Sequence, residues 1–526
     1  MPDSPDAGPH FAQPRVQAQA PFCRTALKTV LSYIMVPAAL YAISVSYYLA
    51  YFYRRGAALY DPGWFAWLSR NGIAWPLPNP ALIGGSFLAI HVSPIFFLTS
   101  ALSGLIPGAP YAIWFCLWFS AWLPLLWLAL FSLTGGIPGL SVSRRTIMAS
   151  VLSLNGITFS MVGFPHIESF IPPLLFGTVV ACLRRKRYGF IVACLAFAVA
   201  LAVREDAGLH AALAFASLAM IMPIRRGAFS LLSLAAVGVA YSLAVLVAQH
   251  LLFTHGGASL GGVYLGHPMF STVTLRLLAH RLVYWATARS YVFVPLGLLL
   301  FIAARARDWQ LGLGVLIAMP WTALSLIAVS PLAGELYGYY AFPLMIPCFW
   351  PMLVASISPE ADPRRLQRLL ALQASMGVAS CVCFILIGVF PGMGNGGGYD
   401  RAPWLHLRPP SIGEIARTET ALHGLEAAPG FETAILDDGV ASLTLGHTRP
   451  GQFSIGLDPK GLALRNAQEF VRFNNPLPYV TAEEVRLTRL FPVCSRIDGT
   501  SLEVCRRGAW QAGASQAEIT QAQQGQ

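Results

Sequence analysis

Charge is what this chain has least of. Of its 526 residues only 11% are Asp, Glu, Lys or Arg, against 56% hydrophobic, and the mean hydropathy is +0.59. Soluble chains carry about 25% charged residues, so the deficit excludes an ordinary soluble domain and argues for a membrane protein. No Walker loop, dinucleotide fingerprint, zinc-ligand spacing or nucleophile elbow is present, which removes the common nucleotide, zinc and serine-hydrolase chemistries. The apolar runs also lack charges at their middles, and no paired repeat is visible. Ion-coupled carriers place such groups near the bilayer midplane, so both absences weigh against a pump.

What is there is a succession of apolar runs. A helix needs roughly 20 apolar residues to cross a bilayer, and about eleven candidates occur. They lie at about residues 30–52, 111–133, 146–163, 168–183, 188–203, 207–224, 227–252, 290–304, 310–329, 338–357 and 367–391. Arg144 and Arg145, Arg184 to Arg187, Arg225 and Arg226, Arg305 and Arg307, and Arg364, Arg365 and Arg368 fall on alternate turns. With Arg24 and Lys28 before the first run, they put the N-terminus in the cytoplasm, and eleven crossings leave the C-terminus outside. A twelfth crossing at residues 84–106 would turn every later arginine cluster outward. That segment, interrupted by Pro94 and followed by Pro107 and Pro110, reads as an interfacial or re-entrant part of a large first outer loop, 53–110. Positive-inside turns account for the net charge of +11, so the partner implied is membrane lipid and not nucleic acid.

The expected organisation is a disordered cytoplasmic segment 1–29, a transmembrane domain 30–392, a small extracytoplasmic α/β domain 393–510 and a disordered tail 511–526. The first run is too long for a cleaved signal and reads as a retained anchor. Gly394 to Gly398 make a flexible exit from the membrane. Beyond it the pattern predicts a helix over 411–426, strands at Thr433–Leu436 and Gln452–Ile455, and a hairpin over 487–507. A hairpin loop at Asp498-Gly499-Thr500-Ser501 sets Ile497 opposite Leu502 and Cys494 opposite Cys505. Opposed positions have the short Cβ separation a disulfide needs, and a periplasm permits oxidation; a shifted register would leave two thiols instead.

Four segments put polar groups where the outer leaflet meets water. In Tyr60-Asp61-Pro62-Gly63-Trp64-Phe65, Asp61 fits an N-cap and Pro62 the first position of a helix over 62–71. The same carboxylate, held above the membrane, is a candidate general base, and a cap can also be a base. His91 precedes a helix begun by Ser93-Pro94, and a lone histidine is more often a hydrogen-bonding residue than a catalyst. His166 and Glu168 sit in a very short turn at the lipid boundary, where such groups are costly to place; structure and function are equally open there. In Arg204-Glu205-Asp206, Arg204 either snorkels while Asp206 caps the next helix, or the triplet receives an anionic head group or a divalent metal ion held by Glu205 and Asp206. The outer loop 253–289 adds His255, His267, Arg276, His280, Arg281 and Arg289. Arg276, Arg281 and Arg289 share an amphipathic, aromatic-rich stretch that lies on anionic lipid or holds a lipid-linked phosphate.

The series Asp61-Pro-Gly-Trp-Phe, His91-Val-Ser-Pro94, His166-Ile-Glu168-Ser-Phe170 and Arg204-Glu-Asp206-Ala-Gly resembles an uncharacterised family of bacterial polytopic membrane proteins, known as a domain of unknown function. That family shows an Asp-Leu-Gly-type motif, His-Phe-Ser-Pro, His-Pro-Glu-Ala and Lys-Glu-Asp-Ala in this order, and the likeness covers about residues 50–350. It is grouped with the GT-C glycosyltransferases, multi-span enzymes that take sugar from a polyprenyl-phosphate carrier and use an acidic residue of the first outer loop as base. The resemblance therefore implies an all-α, GT-C-like polytopic fold and makes Asp61 the leading base. It also implies His166 and Glu168 as orienting groups, with His91, Arg204, Arg276, Arg281 or Arg289 at the substrate. The chain departs from the pattern at Ala66, where a second aspartate is frequent, at Ile167 for proline and at Arg204 for lysine. The lost aspartate counts against a mechanism that needs two carboxylates in that loop. The alternatives are a lipid or solute transporter, which needs a polar path through the bundle, and a non-catalytic envelope protein, which needs neither path nor pocket.

Overall fold

The computed structural model describes residues 20–54, 60–80, 84–184, 188–222, 227–253, 264–266, 268–336, 338–358, 362–389, 408–449, 452, 467–474 and 487–507. Of the segment expected to be disordered at 1–29, residues 20–29 instead begin the helix Ala20–Tyr53; residues 1–19, the tail 511–526, the glycine exit at 394–398, His255, His267 and the arginines at 185, 187, 225 and 226 lie outside the described residues. The described chain is mostly helical with one small mixed sheet.

Six helices are long and apolar enough to cross a membrane: Tyr33–Tyr53, Tyr111–Thr134, Ala228–Phe253, Trp309–Ile327, Gly338–Ile357 and Pro363–Leu386. Two further pairs qualify when joined across a bend, Val142–Ser153 with Gly156–Gly163 at 52° and Leu275–Ala288 with Ser290–Ala306 at 93°. Ile167–Leu183, Gly189–Val203 and Ala207–Ile221 are shorter apolar helices, where the sequence pattern expected spans. Residues 84–106 hold a short turn of 3₁₀ helix at Phe87–Ala89 and a fourth short apolar helix, Ile95–Leu105, whose last turn, Ser103–Leu105, is 3₁₀, so no helix of spanning length forms there.

Local chemistry explains the breaks. Asn155 accepts hydrogen bonds from the amides of Ile157 and Thr158 at 2.8 and 3.2 Å, which caps a new helix in mid-run and sets the 52° bend. The helices Ala207–Ile221 and Ala228–Phe253 approach closely at Gly208 and Gly238, where a Cβ on Gly208 would lie 2.0 Å from the Gly238 carbonyl. Glycine is needed there because any side chain would push two backbones apart.

In the C-terminal part, the helix Ile412–Glu426 forms as expected, capped by Ser411. Strands β1 (Ile435–Leu436), β2 (Glu469–Phe473), β3 (Val493–Arg496) and β4 (Leu502–Arg506) make a sheet in the order β1-β2-β4-β3, parallel only between β1 and β2. Cys494 stands opposite Cys505 in the β3–β4 hairpin, and the two form a disulfide. Thr433 belongs to a 3₁₀ turn and not to the strand. Gln452, expected to begin a strand, lies outside the strands, and its carbonyl accepts from the Leu436 amide at 2.8 Å; residues 453–455 lie outside the described residues.

This domain is seated on the helix Tyr60–Asn71, which carries Asp61. Arg54 holds Glu414 through two bonds of 3.2 and 2.8 Å, and the Tyr53 hydroxyl donates to Glu419. The Tyr111 hydroxyl donates to the Ser442 carbonyl at 2.9 Å and accepts from the Leu445 amide at 3.2 Å. Gly63 lies so close to Ser442 that a Cβ on it would meet the serine Cβ at 2.4 Å. Gly63→Val is therefore expected to wedge the domain off its seat, at about 1–3 kcal/mol of overpacking. The readout is faster trypsin release of a C-terminal fragment; an unchanged cleavage rate would remove this seat.

Candidate functional site

The four polar segments converge. The start of the helix Tyr60–Asn71, the turn before Ile95–Leu102, the 3₁₀ turn Ile167–Phe170 and the turn between Gly189–Val203 and Ala207–Ile221 meet at one end of the bundle. Together they line a pocket of 190 Å³ that includes Asp61, His91, His166, Arg204 and Glu205. Its remaining wall is largely aromatic, with Trp64, Phe65, Phe87, Tyr264, Tyr339 and Tyr340. Pockets for drug-sized ligands run to about 300–1,000 Å³, so this one suits a single small group, such as one sugar ring, with any longer chain left outside.

Asp61 lies inside the first turn of its helix, because the helix begins one residue earlier, at Tyr60; it is not the N-cap. Its side chain keeps 36% exposure through the pocket mouth, and Oδ2 lies 3.9 Å from His166 Nε2. The surrounding protein strips water from the carboxyl and pushes it up to about 6, with His91 pulling the other way.

His166 is buried, stacked on Tyr339 with ring centroids 3.5 Å apart and met edge-on by Phe65 at 4.5 Å. Burial, followed by the positive influence of His91 and Arg204, holds its imidazole well below the usual value, so it is neutral at pH 7. Glu168 accepts from His166 Nδ1, which assigns the proton to that nitrogen and leaves the Nε2 lone pair facing Asp61. Two acceptors, Nε2 and the Asp61 carboxylate, thus face one gap. A hydroxyl entering it would find a partner for its proton on either side.

Behind them lies a buried charge cluster. Arg204 donates to Glu168 Oε1 at 2.8 Å and lies 3.6 Å from Glu205 Oε1 and 3.2 Å from Asp206 Oδ1. Glu205 pairs with His91 Nδ1 at 2.9 Å and accepts the Val92 amide at 3.0 Å. Asp206 occupies an N-cap position but makes no cap bond; its carboxylate turns to Arg204 and to His210, 3.5 Å away. The expected snorkelling of Arg204 and capping by Asp206 both give way to this cluster, since a buried guanidinium draws the nearest carboxylates. Burial is the largest influence on Glu205 and Asp206 and would raise both, but the cationic neighbours together outweigh it and hold both below their ordinary values. For Arg204, burial acts downward first, and Asp206 and Glu205 more than reverse it.

Groups held low in the folded state contribute stability that is fully present above their unfolded values and lost as pH falls through the folded ones. The contribution of Glu205 and Asp206 to the thermal midpoint is therefore expected to hold between pH 8 and about 5 and to be lost below about pH 4. Scanning calorimetry across pH 3–8 checks this, and a midpoint unchanged down to pH 3 would dissolve the cluster as a source of stability.

No family model matches the chain, and no curated protein matches it. The chemistry has to be argued from the pocket alone.

A divalent ion does not fit Glu205 and Asp206. Glu205 already has donors in His91 and the Val92 amide, Asp206 has His210 at 3.5 Å, and Arg204 stands 3.2–3.6 Å from both carboxylates as a competing cation. Among the described residues no three His, Asp or Glu ligand atoms around the pocket lie within 4.8 Å of one another, short of the three protein ligands a catalytic zinc takes. Among the described residues, the one metal-like cluster is Cys494, Glu503 and Cys505, whose sulfurs are joined in the disulfide.

The arginines of the outer loop go elsewhere. Arg276 is exposed near the start of the helix Leu275–Ala288, and none of Arg276, Arg281 and Arg289 lines the pocket. Arg281 is buried and donates to the carbonyls of Ser325 and Leu326 at 3.2 and 2.7 Å and to that of Ala328. Arg289 donates to the Glu335 and Leu336 carbonyls at 2.8 and 3.2 Å, its guanidinium 5.1 Å from the Tyr284 ring centre. Helix ends leave carbonyls without partners, and a five-donor fork answers several at once. The pattern that suggested phosphate recognition reflects helix termination. Tyr339, Tyr340, Tyr264, Gln249 and His210 were not anticipated; Tyr339 and Tyr340 head an apolar run and carry the signature of an interfacial aromatic belt.

Proposed function

We propose that the chain is a GT-C-like glycosyltransferase of the bacterial inner membrane, passing a sugar from a polyprenyl-phosphate carrier to an acceptor hydroxyl at the outer face. The observation that carries this reading is the gap between Asp61 Oδ2 and His166 Nε2, in a pocket with aromatic walls at one end of the bundle. Asp61 takes the acceptor proton, the hydroxyl oxygen bonds to the anomeric carbon, and the bond from that carbon to the phosphate oxygen breaks, its electron pair leaving with the phosphate. Glu168 fixes the His166 tautomer. Arg204 is a positioning residue, since three carboxylates already draw on its charge.

Counting both bent pairs and three of the four short apolar helices as crossings, together with the six long ones, and leaving Ile95–Leu105 at the outer face, gives eleven spans. In that arrangement Arg145 and Arg184 share one end of the bundle, Arg365 pairs with Asp308 across two basic turns, and the pocket lies at the other end. This is the pattern of a cytoplasmic N-terminus and an outward C-terminal domain. The described polar cluster is gathered at that end and not strung through the bundle, which favours a transferase over a flippase.

Polyprenyl-phosphate-linked sugars, measured by mass spectrometry in cells lacking the protein and in the same cells complemented with wild type or Asp61→Asn, test the reading. The donor is expected to accumulate in the first and third and to clear with wild type. Equal pools in all three would overturn the proposal.

A further inference from the structure

A second cavity lies at the opposite end of the bundle from Asp61. It has a volume of 500 Å³ and is lined by Arg145 and Arg184, with Ser132, Ser356, Leu183 and Ile357 among its other walls. It sits where the helices Trp122–Thr134, Ile171–Leu183 and Trp350–Ile357 end. The Asp61 pocket lies by the turn preceding the second of these. Thirteen residues at 1.5 Å rise separate the two by about 20 Å along that helix.

Three helix C-termini present carbonyls and would ordinarily attract a cation. Here several of those carbonyls are already engaged. The Phe131 carbonyl accepts from Arg145 Nη2 at 3.1 Å and from the Thr134 hydroxyl at 2.8 Å; the Leu133 carbonyl accepts from the Gly136 amide at 3.0 Å and the Ser356 hydroxyl at 3.2 Å; the Val180 carbonyl accepts from the Arg184 amide at 3.1 Å. What remains unspent is donor capacity. Arg145 lies with its guanidinium 4.4 Å from the Phe131 ring centre and, among the described residues, engages only Nη2, on the Phe131 carbonyl, which leaves Nη1 for a ligand. Among the described residues Arg184 reaches only the Tyr33 hydroxyl, at 3.4 Å. Among the described lining residues there is no carboxylate.

From this we infer that the recess is a binding site for a phosphate anion, distinct from the Asp61 pocket and independent of what that pocket does. Two guanidiniums at a helix-lined opening, with apolar walls beside them, match a phospholipid head group whose acyl chains lie along the bundle; free phosphate would use the same donors.

The test uses the full chain in detergent, titrated with phosphatidylglycerol, phosphatidylcholine or inorganic phosphate, and reads the thermal midpoint and the lipid retained in native mass spectra. Phosphatidylglycerol is expected to raise the wild-type midpoint by several degrees, and Arg145→Gln/Arg184→Gln to cut its retention about 10-fold. Arg144→Gln, an exposed charge on the same turn, is expected to change neither. Because Arg145 also holds a helix end, two further variants keep the test sharp: Arg184→Gln alone, and Gly136→Leu, which fills the recess without removing charge. Both should weaken the phosphatidylglycerol effect. An equal response to inorganic phosphate would support the site and assign it to a free anion. Equal retention by wild type, the double variant and Gly136→Leu would overturn it, as would a response to phosphatidylcholine as large as that to phosphatidylglycerol.

Discussion

Under the proposed transferase reading, Asp61→Asn is expected to slow sugar transfer roughly 100- to 10,000-fold, the range a positioned general base supplies. The expectation rests on where the carboxylate sits. It is the acid open to the pocket mouth, while Glu168, Glu205 and Asp206 are committed to His166, His91, His210 and Arg204. With its value near 6, Asp61 is ionised at pH 7 yet basic enough to take a proton, so the wild-type rate should rise with pH through about 6 and level off. In Asp61→Asn that limb should vanish along with the rate. The stability consequence has the opposite sign. A carboxyl raised in the folded state contributes stability that is present below its unfolded value and lost as pH rises through the folded one. At pH 8 the ionised Asp61 therefore burdens the fold, and Asn should melt at the same temperature or slightly higher. Rate and melting measured on one preparation separate the outcomes. A slow, well-folded variant identifies the base; a rate within a factor of three of wild type, with the pH 6 limb intact, would assign the limb and the base to another group, His166 first.

The site was legible in the sequence to the extent that it consists of polar islands. Asp61, His91, His166 and Arg204 to Asp206 stand out because the chain around them is apolar, and topology alone required them to lie at one end of the bundle. What each side chain does there was less legible. Asp206 occupies the cap position that the pattern assigns it but spends its carboxylate on Arg204 and His210, because a buried guanidinium offers more than an amide does. Arg281 and Arg289 look like anion receptors on a helical wheel; only the fold reveals the carbonyls at 325–328 and 335–336 that they answer. The aromatic wall was hidden for a different reason. Tyr339 and Tyr340 are indistinguishable by composition from residues at a membrane interface, and the stacking of Tyr339 on His166, with Tyr340 on Tyr339, depends on the 3₁₀ turn Gly338–Leu344 that carries both. In the C-terminal domain the β3–β4 hairpin was readable from its turn, whereas β2 was not, since it pairs in parallel with β1 across more than thirty residues.

Arg204→Met is expected to be the most destabilising single substitution at the site, by about 3–5 kcal/mol, the range for removing one partner of a buried ion pair. Methionine fills much of the volume, so the loss is electrostatic rather than a cavity. It leaves Glu168, Glu205 and Asp206 buried with only histidines beside them, and these acids should then take up protons to relieve the burden. The pH dependence should accordingly invert. In wild type the cluster keeps its contribution from pH 8 to about 5 and loses it only below about pH 4, whereas Arg204→Met should gain relative to wild type as pH is lowered from 8 to 5. Arg204→Lys keeps the charge but not the fork. The guanidinium reaches Glu168 through Nη1 and Asp206 through Nε, two directions that one ammonium cannot serve together, so lysine should fall between methionine and arginine. Adding Glu168→Gln to Arg204→Met should recover part of the loss, because each charge is costly chiefly without the other, and the coupling measured by the cycle should exceed about 1 kcal/mol. Thermal unfolding of the four proteins in detergent at pH 5 and pH 8 decides the matter. Additive losses with no inversion would mean that Arg204 and Glu168 act separately, and the tautomer of His166 would then need another anchor than the one Arg204 provides through Glu168.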